Sequence, residues 1–231
     1  SRCCLHLRLQ WLCVNAMGEA ALLLPFLFQQ KPKPNQMSLY TFSRSETLPT
    51  INYPAGLQIM ESADVELLAA MGDVSVDEVV RRLANDHLAF IAYLHNQPAA
   101  FGWMARGKAM IGELNHPLIL PLQNRYLWNF RTLAAYRGRG IYPALLQYIM
   151  RYEGRKASRF WIIHAPENGS SQKGIVKAGF RYVGKLYTTA NGAVGLEATN
   201  LPATERHLLA DMDIEASEDT GASCWNCSSP Y

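Results

Sequence analysis

Arginine and glycine alternate in Tyr136-Arg137-Gly138-Arg139-Gly140-Ile141-Tyr142-Pro143, and the chemistry that suits this spacing is phosphate binding. Gly138 and Gly140 let the backbone turn sharply with no Cβ in the way. A helix that starts at the end of such a turn leaves its first amides pointing outward and unpaired. Those donors, the positive end of the helix dipole and two guanidinium groups together cradle a phosphorylated ligand. The turn lacks the Gly-Lys-Ser/Thr ending of a Walker loop and the third glycine of a dinucleotide fingerprint.

The flanking residues supply the elements that must hold this turn. Tyr126 to Leu133 is apolar and aromatic, and Ala144 to Tyr152 is amphipathic, so the order is strand, glycine turn, helix. Downstream, Phe160-Trp161-Ile162-Ile163 reads as a buried strand, followed by the turn-rich Pro166-Glu167-Asn168-Gly169-Ser170-Ser171. A helix of about two turns then ends at Lys177-Ala178-Gly179-Phe180, where Gly179 suits the left-handed closing position. Phe180 starts another strand, through Val183. Upstream, Leu57 to Met60 alternates weakly as a strand. Ser62 or Asp64 caps a helix from Val65 to Met71. Ser75-Val76-Asp77-Glu78 resembles a capping box that opens a second helix, to Ala84. His87 to Leu94 is a strand, Asn96-Gln97 a hairpin turn, and Ala99 to Ala105 the return. Lys108 to Arg125 carries two prolines and is expected as an ordered loop or short strand.

The pattern Arg137-x-x-Gly140-x-Tyr142 resembles the coenzyme A pyrophosphate loop of the GNAT acyltransferases, Arg/Gln-x-x-Gly-x-Gly/Ala. Tyr142 departs from it, since the last place is normally small. Asn168, Ser171, Lys177, Gly179 and Phe180 resemble the second GNAT motif, Asn-x-x-Ala/Ser followed by Lys-x-Gly-Phe. The two motifs stand in the right order, and the resemblance covers residues 56 to 187. It implies an α/β (α+β) GNAT fold, a mixed central sheet of about six to seven strands splayed at the cofactor site and flanked by about four helices. It also implies an N-acetyltransferase, in which a primary amine attacks the thioester carbonyl of acetyl-CoA directly in a ternary complex. Backbone groups of Thr132, Leu133 and Ala134 would pair with the pantetheine arm as a strand does, and one amide there would polarise the thioester oxygen. Arg137, Gly138, Arg139, Gly140, Ile141, Tyr142, Asn168 and Ser171 would hold the phosphates and the arm. No metal is expected.

Such a reaction calls for a group that takes the amine's proton. Glu113, in the loop before the cofactor strand, and His164, at the end of the next core strand, are the candidates. A solvated loop carboxylate and a backbone-bonded histidine are their plainer alternatives. His116 and Glu167 are weaker choices. Many GNAT members place a tyrosine acid seven residues after the asparagine, where this chain has Ile175. Tyr182 and Tyr187 are substitutes only if they are not packing residues. Trp103, Trp128 and Trp161 line either the core or an acceptor pocket. Ile175 therefore keeps open a non-catalytic acyl-CoA-binding or regulatory domain.

Composition sets outer bounds. The 231 residues are 49% hydrophobic, enough for one sizeable core with tails, and the net charge of +3 argues against nucleic acid as a partner. Residues 1–36 are expected as an extension or linker, 37–197 as the acyltransferase domain and 198–231 as an acidic tail. The apolar run Ala21 to Phe28 is short of the ~20 residues that span a bilayer and is broken by Pro25, so no membrane is expected. Met17 and Met37 are both possible starts. The five cysteines, Cys3, Cys4, Cys13, Cys224 and Cys227, lie in the tails, which suits a cytoplasmic setting. The pair Cys224 and Cys227 has no second pair nearby to complete a zinc site. A monomer or homodimer is expected.

Overall fold

Strand β3 (His87–Leu94) shows how the sheet is built: Ala89 and Ile91 turn to one face and Phe90 and Ala92 to the other, all four buried. A strand buried on both faces belongs to the middle layer of three. The computed structural model describes residues 36–218. Among them, nine strands form one sheet in the order β11-β10-β9-β1-β8-β7-β4-β3-β2. They are β1 (Gln36–Ser43), β2 (Leu57–Ser62), β3, β4 (Gln97–Ala105), β7 (Asn124–Thr132), β8 (Arg159–His164), β9 (Arg181–Thr188), β10 (Val194–Ala198) and β11 (Ile214–Glu218). β5 (Lys108–Ile111) and β6 (His116–Ile119) pair in a separate hairpin. Helices α1 (Val65–Gly72), α2 (Val76–Ala84), α3 (Ile141–Glu153), α4 (Gly169–Ala178) and α5 (Ala203–Asp211) cover the faces.

One face packs under α3 and α4, with Phe90, Leu127, Leu145, Ile149 and Ile162 in its core. The opposite face is shared by two clusters. Leu68, Val79, Ile91 and Trp103 lie under α1 and α2, while Leu39, Ile111, Trp161 and Leu209 lie under α5 and the hairpin. Partly buried Trp128 touches both clusters and marks the seam between them. Each buried aliphatic side chain here stabilises the fold by about 1.5–3 kcal/mol.

The local signals hold. Asp64 caps α1 by accepting from the Leu67 amide at 2.9 Å, and Ser75 caps α2 by accepting from the Glu78 amide at 3.1 Å. Gly179 closes α4 at φ 110°. The β3–β4 turn falls one residue earlier than expected, on His95 and Asn96, because both take the left-handed conformation that a two-residue hairpin demands (φ 50° and 62°).

The larger corrections concern distant pairings. The sheet has nine strands rather than six to seven, and the described residues hold five helices rather than four. β1 accounts for one extra strand. It inserts between β8 and β9, antiparallel to both, with Ser38 opposite His164. The stretch after 197, expected as an acidic tail partly helical before Asp213, has that helix as α5 and adds the strand β11. Its Glu205 is buried and takes Arg159 (2.9 Å) and Arg181 as ion-pair partners, which converts an acidic residue into an anchor. The stretch 108–125, expected as an ordered loop or short strand, holds two short strands paired as the hairpin, pinned to the α5 end by a 3.0 Å contact between His116 Nε2 and the Met212 carbonyl. The extension before residue 36 and the Cys224 and Cys227 pair lie outside the described residues.

Candidate functional site

β7 and β8 run parallel but pair only from Asn124 to Leu127, against Arg159 to Ile162. Beyond Leu127 they part. β7 stays with β4, Ala100 facing Thr132, and β8 stays with β1. The cause of the parting is local. Asn129 and Phe130 stand opposite the single residue Gly102, and Asn129 takes φ 51°. A bulge of this kind bends and twists its strand, and here it opens a gap along the β7 edge that faces β8.

At the top of that gap the chain turns into α3. Gly138 and Gly140 both have φ 76°, and Gly140 is the residue before the first helical turn. A side chain at either place would be strained in the left-handed region. The turn leaves the amides of Ile141 and Tyr142 at a helix start with no helical partner. A cleft of about 680 Å³ opens in front of them. Its walls include Thr132, the whole run Tyr136 to Pro143, and Asn168, Ser170 and Ser171 from the start of α4. Arg131, Arg137, Arg139, Lys173 and Lys177 also line it, and among the described lining residues there is no carboxylate. Cations and helix-start amides without a counter-charge make a site for a multiply charged anion.

Most of the expected cofactor residues meet in this cleft, in different roles. Arg137 Nε donates to the Thr132 carbonyl at 3.2 Å, which folds the side chain back over the strand end. The Arg139 guanidinium sits 5.7 Å from the centre of the Tyr136 ring. Asn168 uses Oδ1 to cap α4, accepting from the Ser171 amide at 3.1 Å and the Ser170 hydroxyl at 2.9 Å. Its side-chain amide nitrogen is the end that can reach a ligand. Leu133 and Ala134 are not among the lining residues. The Leu133 amide donates to the Ala99 carbonyl at 2.9 Å, so the ladder alternation turns the N–H and C=O of Thr132 toward the gap.

Tyr142 takes its place because of another glycine. A Cβ at Gly174 would stand 2.3 Å from Tyr142 Cδ1, so the ring lies flat against the backbone of α4. Its hydroxyl comes within 3.4 Å of Ser171 Oγ, and its ring is 5.5 Å from that of Phe130. Burial, partly offset by the Ser171 contact, pushes the phenol well above its ordinary value. The ring is a wall of the cleft and stays neutral at physiological pH.

The two expected proton acceptors stand outside the cleft lining. Glu113 is exposed on a short turn between β5 and β6, and its charge acts on the buried Tyr126 phenol. His164 is buried at the end of β8, 5.4 Å from the Tyr40 ring. Its Nδ1 donates to the Ala165 carbonyl at 2.7 Å, leaving Nε2 as a buried lone pair with no partner among the described residues. Burial holds this imidazole below its ordinary pKa, against the opposing pull of the Ala165 carbonyl and Glu167. Ile175 is fully buried in the core, so no hydroxyl is offered from that place. Lys173, Arg131 and Phe130 were not anticipated from the sequence. Lys173 is two residues past Ser171, and its charge so close to a helix start was the available signal.

No protein-family model and no curated protein matches the chain. Solved structures similar to it include GNAT-family N-acetyltransferases. One is a GCN5-related N-acetyltransferase from Sphaerobacter thermophilus, at TM-score 0.48 and 14% identity, covering 70% of this chain and 53% of that one. Another, from Kribbella flavida, has TM-score 0.45 and 14% identity, covering 64% and 54%. A third is a predicted acetyltransferase with acetyl-CoA from Clostridium acetobutylicum, at TM-score 0.38 and 17% identity, covering 54% and 90%. The chain spans about half the length of the first two.

Proposed function

We propose that this protein is a GNAT-type N-acyltransferase that moves an acetyl group from acetyl-CoA to a primary amine. The observation that carries this is the cleft: five cations and a helix start, without a carboxylate, at the mouth of a gap between two parallel strands. The phosphates of coenzyme A match that charge, and the gap gives an extended arm a strand edge to pair with. Ile141 and Tyr142 offer amides to the pyrophosphate, and Arg137, Arg139, Lys173 and Lys177 supply the counter-charge. Asn168 and Ser171 flank the arm. The Thr132 amide, turned to the gap, pairs with the arm as a neighbouring strand would.

The amine nitrogen attacks the thioester carbon, a C–N bond forms and the C–S bond breaks. Much of the acceleration comes from holding the two reactants in line. One N–H proton of the amine passes to solvent, and the sulfur leaves as thiolate and is protonated by solvent, since Ile175 provides no acid.

A second possibility is a domain that binds acyl-CoA without catalysis, and the buried Ile175 favours it. Calorimetric titration with acetyl-CoA, with coenzyme A and ATP as controls, tests the shared premise. Saturable binding of both coenzyme A compounds but not ATP is expected. Thiol release on adding an amine then separates transfer from binding alone, and an absence of binding to folded protein overturns both.

A further inference from the structure

β1 and β2 follow one another in the chain, but β8, β7, β4 and β3 lie between them in the sheet. The strap that joins them, residues 44–56, crosses the α3/α4 face, and no strap residue is among the described lining of the cleft. Leu48 packs into the core under α3 and α4. Pro49 lies at the end of α4, where a Cβ on Gly179 would stand 2.6 Å from Pro49 Cδ. Further on, the Asn52 carbonyl is 3.9 Å from where a Cβ of Gly140 would be, at the glycine turn itself. The strap therefore joins the foot of α4 to the head of α3. Gln147 fastens it. This side chain is 0% exposed in the middle of α3. Its Nε2 donates to the Pro49 carbonyl at 2.8 Å and to the Ala178 carbonyl at 3.2 Å. Carbonyls only accept, which settles the orientation of the amide. Ala178 is the last residue of α4, and its carbonyl is one that a helix leaves unpaired. Gln147 Oε1 accepts from Arg151 at 2.9 Å. Arg151 also bonds the Tyr53 hydroxyl on the strap and sits 5.7 Å from the centre of that ring.

We infer that Gln147 is a positioning residue for the phosphate cleft, and that the strap it fastens keeps the two helix starts at the separation the ligand needs. The inference rests on the coenzyme A reading proposed above. Two contacts set the spacing of α3 and α4. Near the cleft the Tyr142 ring lies against Gly174. Gln147 and Ala178 meet five and four residues further along, roughly 6–7.5 Å by the rise of a helix. The two helices therefore leave the cleft side by side in the same direction. Their spacing sets where the amides of Ile141 and Tyr142 stand relative to Asn168, Ser171 and Lys173 across the cleft. A ligand gripped from both walls binds best when neither wall has to be ordered on binding. A buried amide with both donors and its acceptor engaged permits one arrangement of strap and helices, whereas apolar contacts alone allow sliding.

The test is calorimetric titration of the full chain with acetyl-CoA. Gln147→Met keeps the length of the side chain and removes its three bonds. It is expected to bind acetyl-CoA about tenfold more weakly than wild type. Ile149→Val opens a small cavity in the same helix. It is expected to lower the urea midpoint and keep the wild-type Kd. A wild-type Kd in folded Gln147→Met overturns the inference and leaves the cofactor assignment standing. An equal loss of affinity in Ile149→Val also overturns it, since the effect would then be one of general stability. Failure of the wild type to bind acetyl-CoA overturns the function beneath it as well. Should Gln147→Met not fold, Arg151→Lys decides. Lysine keeps the charge but cannot hold Gln147 and Tyr53 at once. Binding about fivefold weaker is expected, and an unchanged Kd overturns the inference. In the wild type, coenzyme A is expected by the same coupling to slow hydrogen exchange of the Gln147 side-chain amide, and an unmoved rate overturns the inference too.

Discussion

The two faces of the β7–β8 gap are built in different ways. The α3/α4 face binds through backbone: two left-handed glycines, a helix start and a bulged strand edge, with cations added around them. The α1/α2 face is made of side chains from β3, β4, β7 and α2, brought together by the sheet. A backbone site depends on a short run of sequence and tolerates change elsewhere. A side-chain site depends on every element that carries one of its members. Changes in the glycine turn and changes on the α1/α2 face should therefore have separable effects.

The largest effect expected is from Gly140→Asp. A Cβ there meets only the Asn52 carbonyl, 3.9 Å away, so the cost to the fold is the backbone strain at φ 76°, about 1–2 kcal/mol. A carboxylate at the helix start faces the phosphates, and coenzyme A binding should fall below detection by calorimetry. The α1/α2 face should be untouched, with the Trp128 indole resonance unmoved. Glu153→Ala should instead damage both faces. Glu153 ends α3 fully buried, bonded to Arg106 and Arg125. Burial alone would raise its pKa, but the two guanidinium groups hold it below the ordinary carboxylate value. Removing it leaves Arg125 without a carboxylate and Arg106 with only Asp86, 3.7 Å away, and should cost about 3 kcal/mol in urea unfolding.

A smaller effect is expected from Gly174→Ala. The new methyl displaces the Tyr142 ring toward the cleft, and acetyl-CoA should bind about tenfold more weakly, ~1.4 kcal/mol, with no change in turnover at saturation. The smallest concerns pH. His87 and His164 are both held below their ordinary values by burial. The unfolded chain binds their protons more readily, so their contribution is complete above about pH 6.5 and is lost as pH falls toward their folded values. The melting temperature should decline from pH 7 to pH 5, and His87→Gln should flatten part of that slope. An equal slope in the variant would mean His87 is not sheltered as described.

The glycine turn before α3 was legible because everything it needs is within one stretch of chain, the two glycines and the helix that follows. The caps at Asp64 and Ser75 and the close at Gly179 were legible for the same reason. The place of β1 was not, because its partners β8 and β9 lie more than a hundred residues away and nothing in Met37 to Phe42 names them. Glu205 looked like a tail residue until Arg159 and Arg181 were folded against it. His87 looked like the first residue of a strand. Only the fold brings the Lys108 carbonyl to its Nε2 and the Trp128 ring beside it.

The sequence by itself determined most of the central strands and helices, two helix caps and the glycine turn before α3, since backbone conformation and helix-start amides follow from near neighbours. Tertiary structure decided which strands part, which carboxylates are buried and which ring nitrogens of His87 and His164 lack a partner among the described residues. Those properties arise from desolvation and from partners distant in the chain, and no local pattern encodes them.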